Sequence, residues 1–351
     1  MKILAIAINN FGCGYYRLFI PLRKLESTYD NYKINVLFTK NVNEILPDED
    51  IQIEKAAMDN DVFIIQRRYG QTWEHTVKKL KTLGKKIVYE LDDCFEGIPL
   101  ENLKLNAKEM THPETKRSVI SMMRMADIVT VSTPELKSWV SKYVDKVKVF
   151  VLKNTLDFSM WPEPHYGKEL LDKDYVIGFA GSESHKSDLR ELGSSLEKAN
   201  AYFCGSVKFG FFGFMLKEYW YMNPNVLFAL GVPFLKYPDK LNSLHFRIGL
   251  APLKQCLFNE CKSELRFLEH AATGIPIIAT NISPFKRCIT PERGILVNNK
   301  SKHWVSAFKY LINNEADRLK MGHNCYNYVK KEYNIDTYVE NWHNVYKTLN
   351  T

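Results

Sequence analysis

The sequence has no C-x-x-C pair, although it contains seven cysteines: Cys13, Cys94, Cys204, Cys256, Cys261, Cys288 and Cys325. An odd, scattered set disfavours both a disulfide framework and a structural zinc site, and it fits a reducing cytoplasm. Long apolar runs are missing too. The first candidate, Ile3 to Ile8 in "MKILAIAINN", is broken by Asn9 and Asn10. It is far shorter than the roughly 20 residues of a membrane span, and too short for a signal peptide. It reads instead as a first buried strand. Low-complexity tracts, disordered tails and internal repeats are also absent, which leaves an ordinary globular chain.

What is present is 351 residues, 45% hydrophobic and 25% charged, with a net charge of +8. That length suits two α/β domains better than one core. The positive excess points to an anionic partner such as a nucleotide, a nucleic acid or an acidic membrane face, without choosing among them.

Short apolar, β-branched runs alternate with helical stretches twice over. "KILAIAI", "KINVLF", "DVFIIQ", "KKIVYEL", "DIVTVS" and "VKVFVLKN" fill the first half; "YVIGFAG", "VKFGFFGF", "NVLFALG", "RIGLAPL", "IPIIAT" and "RGILV" fill the second. Runs of this kind are covered on both faces in parallel sheets. The spacing predicts a helix over "QTWEHTVKKLKTLGKK", with Gly84 placed to stop it. A Pro- and Trp-bearing stretch, 154–167, reads as a linker between two doubly wound domains. The first takes residues 1–160 and the second 168–335.

Ligands of such sheets bind beyond the carboxyl ends of the strands, so the loops there supply the candidates. "NNFGCGYYR" offers Gly12 and Gly14 for a sharp turn and close approach to a ligand, with Arg17 in the first turn of the next helix. Arg17 stands where a third glycine would complete a dinucleotide fingerprint, so that motif is not met. "QRRYGQTW" brings Gln66, Arg67, Arg68, Tyr69 and Trp73 together, an interleaving that can clamp phosphate and stack a base or be a plain solvated face. "VYELDDCFEGIP" delivers Glu90, Asp92 and Asp93 to one strand end, where mutual repulsion needs a cation, hydroxyls or a shared proton. No histidine or further carboxylate pairs with them as a metal site would require. "GFAGSESHKSDLREL" ends a strand at Gly181 and starts a helix at Ser187 or Asp188, a design able to hold phosphate, with Ser182, His185 and Lys186 near the cleft.

The stretch "FNECKSELRFLEHAATGIPIIAT" reads as a loop holding Asn259, then a helix carrying Lys262, Ser263, Arg266 and Glu269 until Gly274 and Pro276 stop it. Spacings of four and three put Lys262, Arg266 and Glu269 on one face, opposite Leu265, Leu268 and Ala272. A helix start that favours an anion, followed two turns on by a carboxylate able to accept from two vicinal hydroxyls, has the shape of a nucleotide-sugar site. A salt-bridged surface face is the alternative from these residues alone.

With "IGLAPL" before it, this run resembles the donor-binding signature of the retaining, GT-B-fold glycosyltransferases of family 4 (group 1). The similarity extends through "GCGYYR", "QRR", "YELDDCFEGIP", "ADIVTVSTPEL", "LKNTLDF" and "GFAGSESHKSDL", closest to the branch common in bacteriophage and bacterial genomes. The resemblance implies two Rossmann-like domains facing a cleft, with a final helix near 336–351 packing back on the first. It also implies a nucleoside diphosphate sugar as donor, a UDP-sugar above others, and no obligatory metal or cofactor. Glu269 matches the family's ribose-binding Glu. Cys261 stands where the first Glu of E-x7-E should be, Ser182 and Lys186 only loosely match an Arg-Lys phosphate pair, and Glu90 or Asp92 replaces a His.

On this reading Gly181, Ser182, His185, Lys186, Asn259, Lys262, Ser263, Arg266 and Glu269 bind the donor. Asp92, Asp93, Lys186 and Lys262 carry catalysis, and Gly12, Gly14, Arg17, Arg67 and Arg68 face the acceptor. The acceptor reads as a hydroxymethylated base in phage double-stranded DNA, or alternatively a cell-surface glycan, glycolipid or protein approached at an anionic membrane surface. A sugar-nucleotide epimerase and a non-catalytic nucleotide-sugar or DNA-binding protein are readings of another class.

Overall fold

In the computed structural model, residues 1–38, 53, 55–102, 110–164, 166, 175–222 and 225–350 are described. Among the described residues twelve strands form two six-stranded parallel sheets, and each of the twelve apolar runs named above supplies one. The first sheet has the order β2-β1-β3-β4-β5-β6, built from Lys33–Phe38, Lys2–Ala7, Val62–Gln66, Lys86–Leu91, Ile128–Val131 and Val149–Val151. The second has the order β12-β11-β10-β7-β8-β9, built from Gly294–Val297, Ile277–Thr280, Ile248–Ala251, Tyr175–Ala180, Val207–Phe212 and Val226–Ala229. The central strands β1, β3, β4 and β7 are buried almost throughout. Helices cover both faces of a parallel sheet, so its strands carry uninterrupted apolar runs rather than alternation.

Strand order reverses between β1 and β3 in the first sheet and between β10 and β7 in the second. Such switch points open a crevice at the carboxyl ends of the strands. The segments that follow β1, β3, β7 and β10 are therefore the places where this backbone can hold a ligand. The helix Gln71–Thr82 ends before Gly84, whose φ of +73° is the left-handed conformation that glycine adopts freely.

The chain crosses between the sheets twice. Leu156 on the outgoing crossing is fully buried; its N–H donates to Tyr333 O at 2.8 Å and its carbonyl accepts from Ile335 N at 2.9 Å. The 154–164 part of the expected linker is thus anchored, with Trp161 also buried, while 165 and 167 lie outside the described residues. After the return crossing the helix Ile335–Lys347 lies against the first-domain helix Ile20–Thr28. There His343 stacks on Tyr29 at 4.1 Å and bonds the Tyr32 hydroxyl at 3.0 Å. Helix Ile335–Lys347 buries Val339, Trp342 and Tyr346 as one apolar stripe, which accounts for its position.

Candidate functional site

The helix expected to begin at Lys262 begins at Leu265 and runs to Ala272; call it α2, with α1 the single turn Leu257–Glu260 before it. Asn259 therefore lies in a helical turn, not a loop, and Lys262 to Glu264 form the bend between the two. The bend is pinned from the side. Glu264 pairs with Arg287 Nη2 at 2.8 Å, and Ser263 Oγ accepts from Asn154 Nδ2 at 2.8 Å. Phe267, Leu268, Ala271 and Ala272 form the buried stripe of α2, and Gly274 at φ +74° follows its end. The half-buried face keeps Arg266 and Glu269, three apart as the spacing required.

Arg266 lies 4.6 Å over the Phe179 ring and fills the space beside Gly181. A Cβ at Gly181 would stand 2.8 Å from Arg266 Nη1, so the glycine makes room for that guanidinium. Glu269 accepts from Tyr16 Oη on Oε1 and from Tyr237 Oη on Oε2, each at 3.0 Å. Burial raises the pKa of Glu269, against the pull of Arg266 and of the two phenol bonds.

Across the cleft, Lys262 Nζ stands 3.7 Å from Asp93 Oδ1 and 4.3 Å over the Phe258 ring. Arg67 Nη1 donates to Asp93 Oδ2 at 2.8 Å and to Asp92 Oδ1 at 3.1 Å. Burial works to raise the pKa of Asp93, yet Lys262 and Arg67 outweigh it and hold the carboxyl below its ordinary range. The carboxylates that the sequence placed at one strand end thus have their cations, one from each domain. Arg67 adopts φ +51°, a conformation unusual for a side-chain-bearing residue and frequent near functional sites.

His185 sits beside this group, with Nδ1 2.8 Å from Asp188 Oδ2. Burial and the neighbouring Arg266 push its pKa down to about 4. Asp188 is fully buried, and its other oxygen accepts from Lys254 N at 2.9 Å and Asn259 Nδ2 at 2.8 Å. Asp188 and Asn259 therefore tie the segment after β10 to the one after β7. The helix there runs from Lys186 to Arg190, so Asp188 is inside it instead of at its start. Lys186 is half-buried at its first position, and Ser182 Oγ bonds Ser184 Oγ at 2.7 Å.

Several expected cleft residues lie elsewhere. Arg17 is buried in a π-helical turn, Tyr15–Phe19, with Nε 2.7 Å and Nη2 3.1 Å from the two oxygens of Glu90. Its Nη1 donates to Leu152 O and, at 3.0 Å, to Asn154 Oδ1, while Thr130 Oγ1 donates to Glu90. Glu90 and Arg17 are thus a buried pair in the first domain, and neither is exposed at a surface. Arg68 is fully buried as well, donating to Ala7 O at 3.2 Å and lying over Trp73. Gln66, Tyr69 and Trp73 are buried with it, so the base-stacking platform is not formed. Gly12 and Gly14 form a helical turn with no positive φ. Gly14 is required because a Cβ there would fall 2.0 Å from Asn9 O.

Sequence reasoning missed Tyr16, Tyr237 and Asn154, whose partners lie 253, 32 and 109 residues away. It also missed Cys94, which is buried in the same apolar cluster as Cys261 across the domain boundary. Cys261 packs into the first domain's core, and its carbonyl accepts from Thr133 Oγ1 at 2.8 Å. Among the described residues no group of three His, Cys, Asp or Glu side chains is placed to hold a metal ion, and no helix is long and apolar enough to cross a membrane.

Residues 191–344 match the family model described as "Glycosyl transferase-like", a span that includes Lys262 to Glu269. No curated protein matches the chain in sequence. Among solved structures, HepE of Anabaena in complex with UDP and glucose is similar with a TM-score of 0.71 at 12% identity, over 100% of this chain and 99% of that one. Sucrose-phosphate synthase from Thermosynechococcus elongatus gives 0.70 at 12% identity, over 99% of both chains. A glycosyltransferase from Rickettsia africae gives 0.68 at 12% identity, over 99% of this chain and 98% of that one. The chain has the two-domain GT-B architecture of these structures, and its second half carries a glycosyltransferase-like domain.

Proposed function

We propose that the protein is a transferase that moves a sugar from a nucleoside diphosphate sugar, specifically a UDP-sugar, to an acceptor hydroxyl with retention of anomeric configuration. One observation carries the reading. Inside the glycosyltransferase-like span, Lys262 and Ser263 stand before the first turn of α2, where Lys262 faces Asp93 after β4 of the other sheet, and Glu269 lies on the half-buried face of α2. That HepE of Anabaena is seen with UDP and glucose concerns that protein, and it lends the donor class by likeness of fold.

In this mechanism the departing diphosphate lies at the start of α2, where the helix dipole, Lys262 and Lys186 stabilise its growing charge. Lys262 exchanges its contact with Asp93 for one with the diphosphate. Asp92 and Asp93, tied together by Arg67, then face the acceptor hydroxyl and orient it. Glu269 takes the ribose diol. Gly181 leaves room for Arg266 beside it, and His185, Asp188 and Asn259 shape the wall behind.

For the acceptor, a hydroxymethylated base in DNA rests on the net charge of +8 alone, because Arg17, Arg67 and Arg68 are each engaged within the first domain. Salt-sensitive retention of duplex DNA, run beside anionic vesicles, separates that acceptor from one at a membrane surface.

The donor assignment is tested by thermal stabilisation and slow donor hydrolysis across nucleotide sugars, repeated with Glu269→Ala. A UDP-sugar should stabilise and lose its sugar with the unaltered protein and do neither with the variant. Equal stabilisation of both would overturn the assignment. Chromatography of the recovered sugar nucleotide distinguishes an epimerase, which returns an isomer, and a binding protein, which returns the donor unchanged.

A further inference from the structure

Two phenols converge on Glu269 from opposite domains, and neither ring is free to swing. Tyr237 stacks on Phe212 with centroids 5.2 Å apart, and Tyr16, almost fully buried, meets Phe234 edge-on at 4.9 Å. Phe234 in turn stacks on Tyr15 at 4.3 Å, so the first domain's 15–19 turn and the second domain's 234–237 segment are packed as one aromatic cluster. A carboxylate has about four acceptor positions. One phenol on each oxygen fixes its plane and leaves a position on each for two more donors, the number that a vicinal diol brings.

From this geometry we propose that Tyr16 and Tyr237 are positioning residues for the donor: they hold Glu269 in the plane in which it receives the ribose hydroxyls. Tyr16 thereby makes the nucleotide site of the second domain depend on a residue of the first. The inference rests on the donor-site reading above and deepens it. Its physical ground is the cost of a buried charge. A carboxylate in apolar surroundings takes up a proton unless donors or a cation keep it ionised. For Glu269 those groups are Arg266 on its own helix, Tyr16 from the 15–19 turn and Tyr237 from the helix Tyr237–Ser243. Once protonated, Glu269 would itself donate and could no longer accept from both hydroxyls of a diol. Removing one phenol therefore frees the carboxylate to rotate and raises its pKa further.

The test titrates UDP into the full chain by calorimetry, from about pH 6 to about pH 8.5, for the unaltered protein, Tyr16→Phe, Tyr237→Phe and Glu269→Gln. Phenylalanine keeps both ring contacts, and thermal melts without ligand confirm that each variant folds. Each Phe variant should bind UDP about tenfold more weakly at the acid end, the worth of one hydrogen bond to a charged group. The part of that loss that comes from protonation of Glu269 should be regained at the alkaline end. Binding that is unchanged or tighter in the Phe variants overturns the proposal, whereas a loss that is equal at every pH assigns the effect wholly to the lost orientation of Glu269. Unaltered UDP binding by Glu269→Gln would instead sink the donor-site reading, and failure of the unaltered protein to bind UDP would sink both.

Discussion

His270 follows Glu269 on α2 but points into the core, fully buried, with neither ring nitrogen bonded to a partner among the described residues. It packs against Gly249, where a Cβ would stand 2.8 Å from its ring, and lies 6.2 Å from Phe246. Burial first, and the Arg266 charge second, push its pKa from 6.5 down to about 3. The ring is therefore neutral in the folded protein, whereas in the unfolded chain it takes up a proton below its ordinary value. Its contribution is complete above pH 6.5 and is lost as the pH falls toward 3. At about pH 5 the unfolded state is favoured by about 1.5 pK units, or about 2 kcal/mol.

His185, depressed to about 4, adds a loss over the same range, so the two must be separated. His270→Leu does this, since an apolar side chain of similar size leaves the packing and removes only the titration. Denaturant unfolding followed by intrinsic fluorescence at about pH 7.5 and about pH 5 should show the variant losing about 2 kcal/mol less than the unaltered protein. Identical losses would refute the reasoning, as would a His270 ring resonance that titrates above pH 5 in the folded state.

Arg17→Met leaves Glu90 in the core without its cation, to be protonated or held as a charge by Thr130 alone, and should destabilise by about 3–5 kcal/mol in denaturant unfolding; a change below about 1 kcal/mol would show that the pair is not buried as described. Gly14→Ala drives a Cβ to 2.0 Å from Asn9 O and should cost about 1–3 kcal/mol. A neutral result there would mean that the 12–19 segment moves freely.

The fold was legible because both sheets are parallel: every strand from β1 to β12 is a short apolar run bounded by polar residues or glycine. Half of the site was legible for a related reason, since the three-residue step from Arg266 to Glu269 and the helix stop at Gly274 are local facts of the chain. The start of α2 was misplaced by three residues because what ends the preceding bend is distant, namely Asn154 on Ser263 and Arg287 on Glu264. Arg17, Arg68 and Glu90 misled in the same way. A charged residue after a buried strand looks like a cleft residue until its partner is known, and the Arg17–Glu90 partners are 73 positions apart. Tyr16 could have been suspected only from its place between Gly14 and Arg17 at the first switch point, since nothing local marks a phenol that will meet a carboxylate in the other domain.

Leu156 bonds to both Tyr333 and Ile335, and the neighbouring Lys153 donates to Tyr338 Oη and to Glu332 O, so the outgoing and returning crossings are stitched to each other over several residues. A seam of that kind resists shear and separation of the two crossings. Where Tyr15 rests on Phe234 the two domains meet again, through ring packing alone and, among the described residues, without a shared backbone hydrogen bond.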